Sequence, residues 1–271
     1  MYRLSKLGMA WLVSLSLFLL GSVGQAFPTL PDTGIPKLWQ RVGKTHAQFL
    51  VNCNENLTYI EFGDLKDSSY QALARDLAGS GWRNIREEAD IDHRKILEDL
   101  AHMGLGEQEA IALASSLQLE QVRILTAQSG RWQASIYVDT AEYDPAFPWV
   151  SYLAICKHDA SLRPMQLNLV PPRQFTVPGS QLVVSAVGKL DGNPVEIYGF
   201  VTASPLEAVV AHFQRWSPHW IIVSGGIYGD IYGAYGYNPS EAMFLLVLPQ
   251  EGQNMVHYGC GRLYLEREER H

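Results

Sequence analysis

Basic charge is scarce in this sequence. Lysine and arginine total 21 against 28 aspartates and glutamates, and no segment gathers the positive residues into a stripe. A net charge of −7 with histidine neutral repels nucleic-acid phosphates and anionic lipid headgroups, so neither is expected as a partner. Cysteine is nearly absent, at three residues: Cys53, Cys156 and Cys260. The chain has no Cys-x-x-Cys pair, no His-Glu-x-x-His pair, no Gly-x-Ser-x-Gly elbow and no dinucleotide fingerprint. The sequence therefore predicts no metal and no cofactor. Charged residues make up 18% of the chain and hydrophobic residues 47%, a balance that excludes a disordered body and provides for a packed core.

Long hydrophobic runs are missing too, except at the front. Arg3 and Lys6 precede an apolar run over residues 9–20, and small residues follow up to Gly24-Gln25-Ala26. This is the layout of a secretory signal peptide over residues 1–26. The run is shorter than the roughly 20 apolar residues needed to span a bilayer, so no stable membrane span is expected once the leader is removed. The remaining 245 residues begin at Phe27 and carry a net charge of −9, because the leader takes two basic residues with it. A periplasmic or secreted protein is the expectation. In that oxidising setting three cysteines make one bridge and one spare thiol. Three single pairings are open, of which Cys53 with Cys156 staples two segments of the N-terminal half.

Hydropathy patterning divides the rest. Three prolines make residues 27–37 an extended arm. A first α+β domain is predicted over residues 38–161, with strands at 49–51 and 57–62 and a turn at Gly63-Asp64. A helix follows over 69–78, striped by Tyr70, Leu73, Ala74 and Leu77, with Gly79 as its left-handed cap. A helical hairpin over 92–117 and strands at 122–126, 132–138 and 149–155 complete this domain. Pro164, Pro171 and Pro172 mark a linker over 162–174. A second α+β domain over 175–271 has strands at 181–187 and 195–201, joined by the turn Asp191-Gly192-Asn193-Pro194. Its helix, over 205–216, is signalled by Ser204, Pro205 and Glu207 and striped by Leu206, Val209, Val210 and Phe213. A strand at 220–224, a long loop and strands at 243–248 and 255–265 finish the chain. The expected fold class is thus α+β, antiparallel sheets with helices packed on one face, in two subdomains. Both helices carry the same stripe and precede a tryptophan that opens a strand, Trp82 and Trp220. That spacing fits two copies of one unit and fits coincidence equally well.

Residues 225–237 hold five glycines and four tyrosines. Tyrosine offers a large amphipathic ring at small entropic cost and glycine lets a backbone fit around a partner, so the stretch reads as a recognition loop with Tyr228, Tyr232, Tyr235 and Tyr237 as binding residues. Tyr228, Tyr232 and Tyr235 are expected on an exposed surface. The competing reading has these rings folded back on the sheet. Asp90-Ile91-Asp92-His93 reads as a helix cap rather than a metal site.

In His257-Tyr258-Gly259-Cys260-Gly261-Arg262 a thiol lies between glycines, with an imidazole three residues before it and a guanidinium two after. Over about six residues this is similar to the His-Gly-Cys-x-Arg core of cell-wall L,D-transpeptidases. The resemblance implies Cys260 as nucleophile and His257 as base, acting on a peptide carbonyl. The sequence departs from that pattern in placing Tyr258 between His257 and Gly259 and in lacking an upstream His-Gly pair. The expected function is a non-catalytic exported binding or assembly component of a bacterial envelope or secretion process, with an envelope or secreted protein as partner. The alternatives are a cysteine-dependent acyl transferase or hydrolase on cell-wall peptides, and a secreted effector.

Overall fold

The computed structural model describes residues 34–53, 56–66, 69–88, 122–139, 150–159, 171, 176–190, 192–216, 220–228, 231–238, 241–250 and 253–262. The expected signal peptide, the helical hairpin over 92–117, the Asp90 to His93 cluster and nearly all of the 162–174 linker lie outside them. By backbone contacts the chain divides into two compact units, one within Leu30–Gln166 and one within Leu167–His271.

The first unit contains β1 (Gly43–Cys53), β2 (Asn56–Leu65), α1 (Tyr70–Gly79), β3 (Arg83–Glu88), β4 (Val122–Ser129), β5 (Trp132–Asp139) and β6 (Val150–His158). Its strands are hydrogen-bonded in the order β3-β4-β5-β6-β2-β1, antiparallel in each pair. The second contains β7 (Gln181–Leu190), β8 (Asn193–Thr202), α2 (Leu206–Trp216), β9 (Ile221–Tyr228), β10 (Ile231–Tyr237), β11 (Glu241–Gln250) and β12 (Gln253–Arg262). Here the order is β9-β10-β11-β12-β8-β7, again antiparallel. Among the described residues the two connectivities are identical. A hairpin leads into one helix, a four-strand meander follows, and the last strand of the meander pairs with the second strand of the hairpin.

The expected α+β class is overturned. Strands take 66% and helices 14%, with only two helices among the described residues, so the protein is mainly antiparallel β-sheet. Two misread signals account for the difference. The glycine-rich stretch expected as a loop is strand, and the strands extend beyond their apolar centres: β1 and β2 run 11 and 10 residues. The predicted turn at Gly63-Asp64 lies within β2. Gly63 sits opposite Thr45, where β1 carries one extra residue, His46. A side chain at 63 would run into the Lys44 carbonyl, so this glycine allows close strand approach rather than reversal. The bulge presents His46 Nε2 to Asp64 Oδ2 at 2.7 Å.

The two predicted helices that fall on described residues both form. α1 ends at Gly79, and the left-handed glycine comes two residues later, at Gly81 with φ +94°. In α2 the Pro205 carbonyl accepts from the Ala208 and Val209 amides, so the helix begins at Leu206. Val209 and Phe213 of α2 pack on Tyr198 and Phe200 of β8, Met243, Leu245 and Val247 of β11, and Val256 of β12. Leu190 already pairs with Asn193, and Gly192 takes φ +84°, so the strands reconnect within two residues.

α1 carries a buried charge, Asp76. Its Oδ2 accepts the backbone N–H groups of Gln40, Arg41 and Val42 at 2.8, 3.1 and 3.4 Å. Gln40 Nε2 donates to the Gly79 carbonyl and Trp82 Nε1 to the Lys37 carbonyl. The chain entering β1 is therefore fixed to the helix and to the residue that leads out of it. Asp76→Ala is expected to lower the unfolding free energy by about 3 kcal/mol in urea titrations, since it leaves three partly buried amides without their charged acceptor, and Asp76→Asn by less. An unchanged midpoint in the alanine variant would show that water replaces the carboxylate at no cost.

Candidate functional site

The stretch read as a long recognition loop is a hairpin. β9 and β10 pair from Tyr228 opposite Ile231 to Ile221 opposite Tyr237, and β10 pairs with β11 on its other side. Two of its glycines, Gly225 and Gly236, sit where the strands come close. A Cβ on Gly236 would stand 2.9 Å from Ile222 Cδ1 and 3.0 Å from the Ile221 carbonyl oxygen, and one on Gly225 would stand 3.3 Å from Ala234 Cβ. The isoleucines and tyrosines between them favour extended backbone.

The four tyrosines diverge. Tyr232 packs against the core of its unit rather than lying on an exposed surface. Tyr235 is half-buried as well. Burial pushes both phenols above their ordinary range, with Tyr237 adding to the effect on Tyr235. Tyr237 is exposed, and the Tyr228 side chain lies outside the described residues.

What the hairpin does expose is aliphatic. Ile221, Ile222, Val223 and Ile227 of β9 are 56%, 43%, 58% and 57% open, beside Tyr237 at 38%. β9 is the outer strand of its unit, with β10 on one side and no strand among the described residues on the other. Edge strands of this kind are usually blunted by charge, proline or distortion, because their unpaired N–H and C=O groups template further pairing. β9 (IIVSGGIY) has no charged residue and no proline. Its one irregularity is the extra residue Val223, between Ile222 opposite Gly236 and Ser224 opposite Tyr235.

The equivalent edge in the first unit, β3 (RNIREE), is built the opposite way. Four of its six residues are charged. Its register breaks between Arg83 and Arg86, where Asn84 takes φ +52°. Glu87 is held by Arg123 at 2.6 Å, and Glu88 accepts from Thr126. In the sequence this contrast is masked by the tyrosines of residues 225–237. The legible signal was Trp220-Ile221-Ile222-Val223, an apolar run that no charge interrupts.

Cys260 and His257 lie in β12, whose ladders with β8 and β11 run without a bulge from Asn254 to Gly261. The backbone of both residues is described, and their side chains, with that of Arg262, lie outside the described residues. Arg262 ends β12 opposite Glu241. Cys260 is opposite Glu196 on β8, and its counterpart by topology in the first unit is Cys156, opposite Tyr59 on β2. Cys156 is wholly buried in the core.

The bridge expected between Cys53 and Cys156 is not formed, and both residues are buried thiols. Cys53 closes the β1–β2 hairpin opposite Asn56, while Cys156 is on β6 opposite Tyr59. Strand spacing puts the two roughly 14 Å apart, and a disulfide needs Cα atoms within about 7 Å. Burial also pushes the Cys53 thiol up, away from the reactive thiolate.

One polar cluster escaped the sequence reading. Glu61 of β2 is 3% exposed and accepts four side-chain donors. These are Tyr59 OH at 2.5 Å, Tyr152 OH at 2.6 Å, Thr45 Oγ1 at 3.2 Å and Gln48 Nε2 at 3.3 Å. Trp39 stands edge-on to Tyr152, ring centroids 5.5 Å apart. A carboxylate so fully satisfied and enclosed holds strands together and offers no open position to a substrate. Its signal was a glutamate inside an apolar strand, with a tyrosine two residues away on the same face.

Among the described residues no group of three histidine, cysteine or acidic side chains is placed to hold a metal. No helix among them is long and apolar enough to cross a membrane. No protein-family model, curated protein or solved structure matches this chain.

Burial first, and the Glu61 carboxylate second, hold the Tyr59 and Tyr152 hydroxyls protonated well above the usual tyrosine range. Tyrosines in the unfolded chain ionise near pH 10. The contribution of these two is therefore complete below about pH 10 and lost as pH rises above it, because the unfolded state sheds protons that the folded state retains. Urea midpoints measured across the alkaline range are expected to fall with pH. Replacing both residues by phenylalanine lowers the starting stability by about 2–5 kcal/mol and flattens that slope. Phenolate absorbance showing every tyrosine ionised near pH 10 in folded protein would refute the assignment.

Proposed function

We propose that this protein is an exported, non-catalytic binding or assembly component whose contact surface is the outer edge of the β9–β10 hairpin. The observation that carries the reading is the contrast between two edges of the same topology. β3 is charged, bulged and ion-paired, whereas β9 leaves four aliphatic side chains and an uncharged backbone edge in water. Adding a strand to such an edge gives a partner backbone hydrogen bonds for affinity and side-chain contacts for selectivity. The patch amounts to roughly 500 Å², the scale at which an exposed apolar surface marks an interaction site. The partner class is a protein segment presenting an extended strand. Nucleic acid and anionic membranes are disfavoured by the acidic balance. The export part rests on the leader pattern at residues 1–26.

Two measurements test the reading. The mass of the protein recovered from its compartment is expected to correspond to a chain starting at Phe27, and a cytosolic product retaining Met1 would remove the export part. A photo-activated cross-linking side chain placed at Val223 is expected to capture a protein adduct in living cells, while the same group at Arg86 on β3 captures none. Equal yields at the two positions would remove the assigned surface.

A further inference from the structure

We infer that the occupant of the β9 edge is β9 of a second copy of this chain, the two strands pairing antiparallel about the Gly225-Gly226 segment. This rests on the binding reading of the same edge and names its partner. An antiparallel pair related by a two-fold axis needs a strand compatible with its own reversal. β9 meets that condition. Its aliphatic residues flank a small central segment, Ile221, Ile222 and Val223 before Ser224-Gly225-Gly226 and Ile227 after it. Around an axis at Gly225, Val223 of one copy lies opposite Ile227 of the other, and glycine meets glycine at the centre. No bulky or charged pair falls on the axis.

Charge decides further. Residues 221–228 carry no ionisable group except Tyr228, so no like charges are forced together at the contact. The charge of the rest of the molecule is −7 as encoded. It acts between copies only at longer range, where salt screens it beyond about 8 Å at physiological ionic strength. Pairing of two such bodies through an uncharged strand therefore strengthens as salt is added, the opposite of what a basic partner would show.

Area sets the strength. Two copies bury about 1,000 Å² in total, the small end of what a specific interface needs, so the dimer is concentration-dependent rather than permanent. The open positions Ile221, Ile222 and Val223 are consecutive, so they present apolar groups to both sides of the strand, and a strand laid alongside covers both.

The test is sedimentation equilibrium of the purified protein over a range of concentrations, at low and high salt. A monomer–dimer equilibrium that tightens with salt is expected. Val223→Glu and Ile227→Lys each weaken it by about tenfold or more, since each sets a charge against an aliphatic partner across the ladder, and mixing the two variants brings opposite charges face to face and restores a heterodimer. Ile85→Lys on β3 leaves it unchanged. Circular dichroism and urea midpoints equal to the parent's exclude misfolding of the variants, and recovery on mixing is a gain that misfolded chains do not give. A protein that stays monomeric at every concentration and salt, or a dimer indifferent to both the Val223 and the Ile227 variants, overturns self-pairing. If the protein is monomeric while the Val223 cross-linker captures a different protein in cells, self-pairing fails and the binding reading stands. If the cross-linker captures nothing and the protein is monomeric, both fail.

Discussion

Backbone pairing in an antiparallel meander satisfies every strand but the outer one, whose N–H and C=O groups alternate between a neighbour and water. That constraint falls on both units at the same place in the same connectivity, the first strand after the helix. β3 and β9 are thus two sequences answering one structural demand. β3 spends its surface on Arg83, Arg86, Glu87 and Glu88 and distorts its backbone at Asn84. β9 keeps straight pairing over Ser224–Tyr228 and carries aliphatic side chains instead. Since the fold is common to both, the open edge of β9 belongs to its sequence and not to the architecture.

The shared connectivity also exposes how the two interiors have exchanged roles. Counted from each hairpin, Asn56 and Asn193 open the second strand. Three and five residues beyond that opening stand Tyr59 and Glu61 in one unit, and in reversed order Glu196 and Tyr198 in the other, when the opening asparagine is counted as zero. In both pairs the tyrosine hydroxyl donates to the carboxylate, at 2.5 and 2.6 Å. Sizes trade in the same way. Gly63 faces Tyr152 across β2 and β6, while Phe200 faces Val256 across β8 and β12. Each unit thereby fills the same space with one large and one smaller residue, as dense cores require.

Much of this was legible in the sequence, for reasons that can be named. The helices at 70–79 and 206–216 showed through because an apolar stripe every three to four residues has no other local explanation, and Pro205 marks a start that few other positions tolerate. Most strands showed through β-branched and aromatic content. Of the β9–β10 hairpin only the strand over 220–224 showed through, because at Gly225 and Gly236 glycine serves closeness rather than freedom, a property of the neighbouring strand that no local window contains. Gly63 failed in the same way. The other donors to Glu61 were illegible for a further reason: they come from residues 45, 48 and 152, and only register brings them to it. The pairing assumed for Cys53 and Cys156 erred by arithmetic, since counting thiols says nothing about strands lying between them.

The polar and apolar interiors specify their units differently. In the second unit Val209 and Phe213 meet Tyr198, Phe200, Leu245 and Val256 through contacts without direction, and apolar packing of this kind tolerates repacking at constant volume. In the first, Glu61 requires Thr45, Gln48, Tyr59 and Tyr152 at set registers on three strands. A one-residue slip of β1, β2 or β6 would move one of these groups to the opposite face and leave a buried carboxylate short of donors. Asp76 acts in the same sense on the chain entering β1, whose amides reach its carboxylate only if α1 and that segment are placed together. The first unit is thus held in register by two satisfied buried carboxylates, and its outer strand is closed by charge. The second is held by packing and leaves its outer strand open, which places the capacity to associate on the unit whose interior depends least on directional bonds.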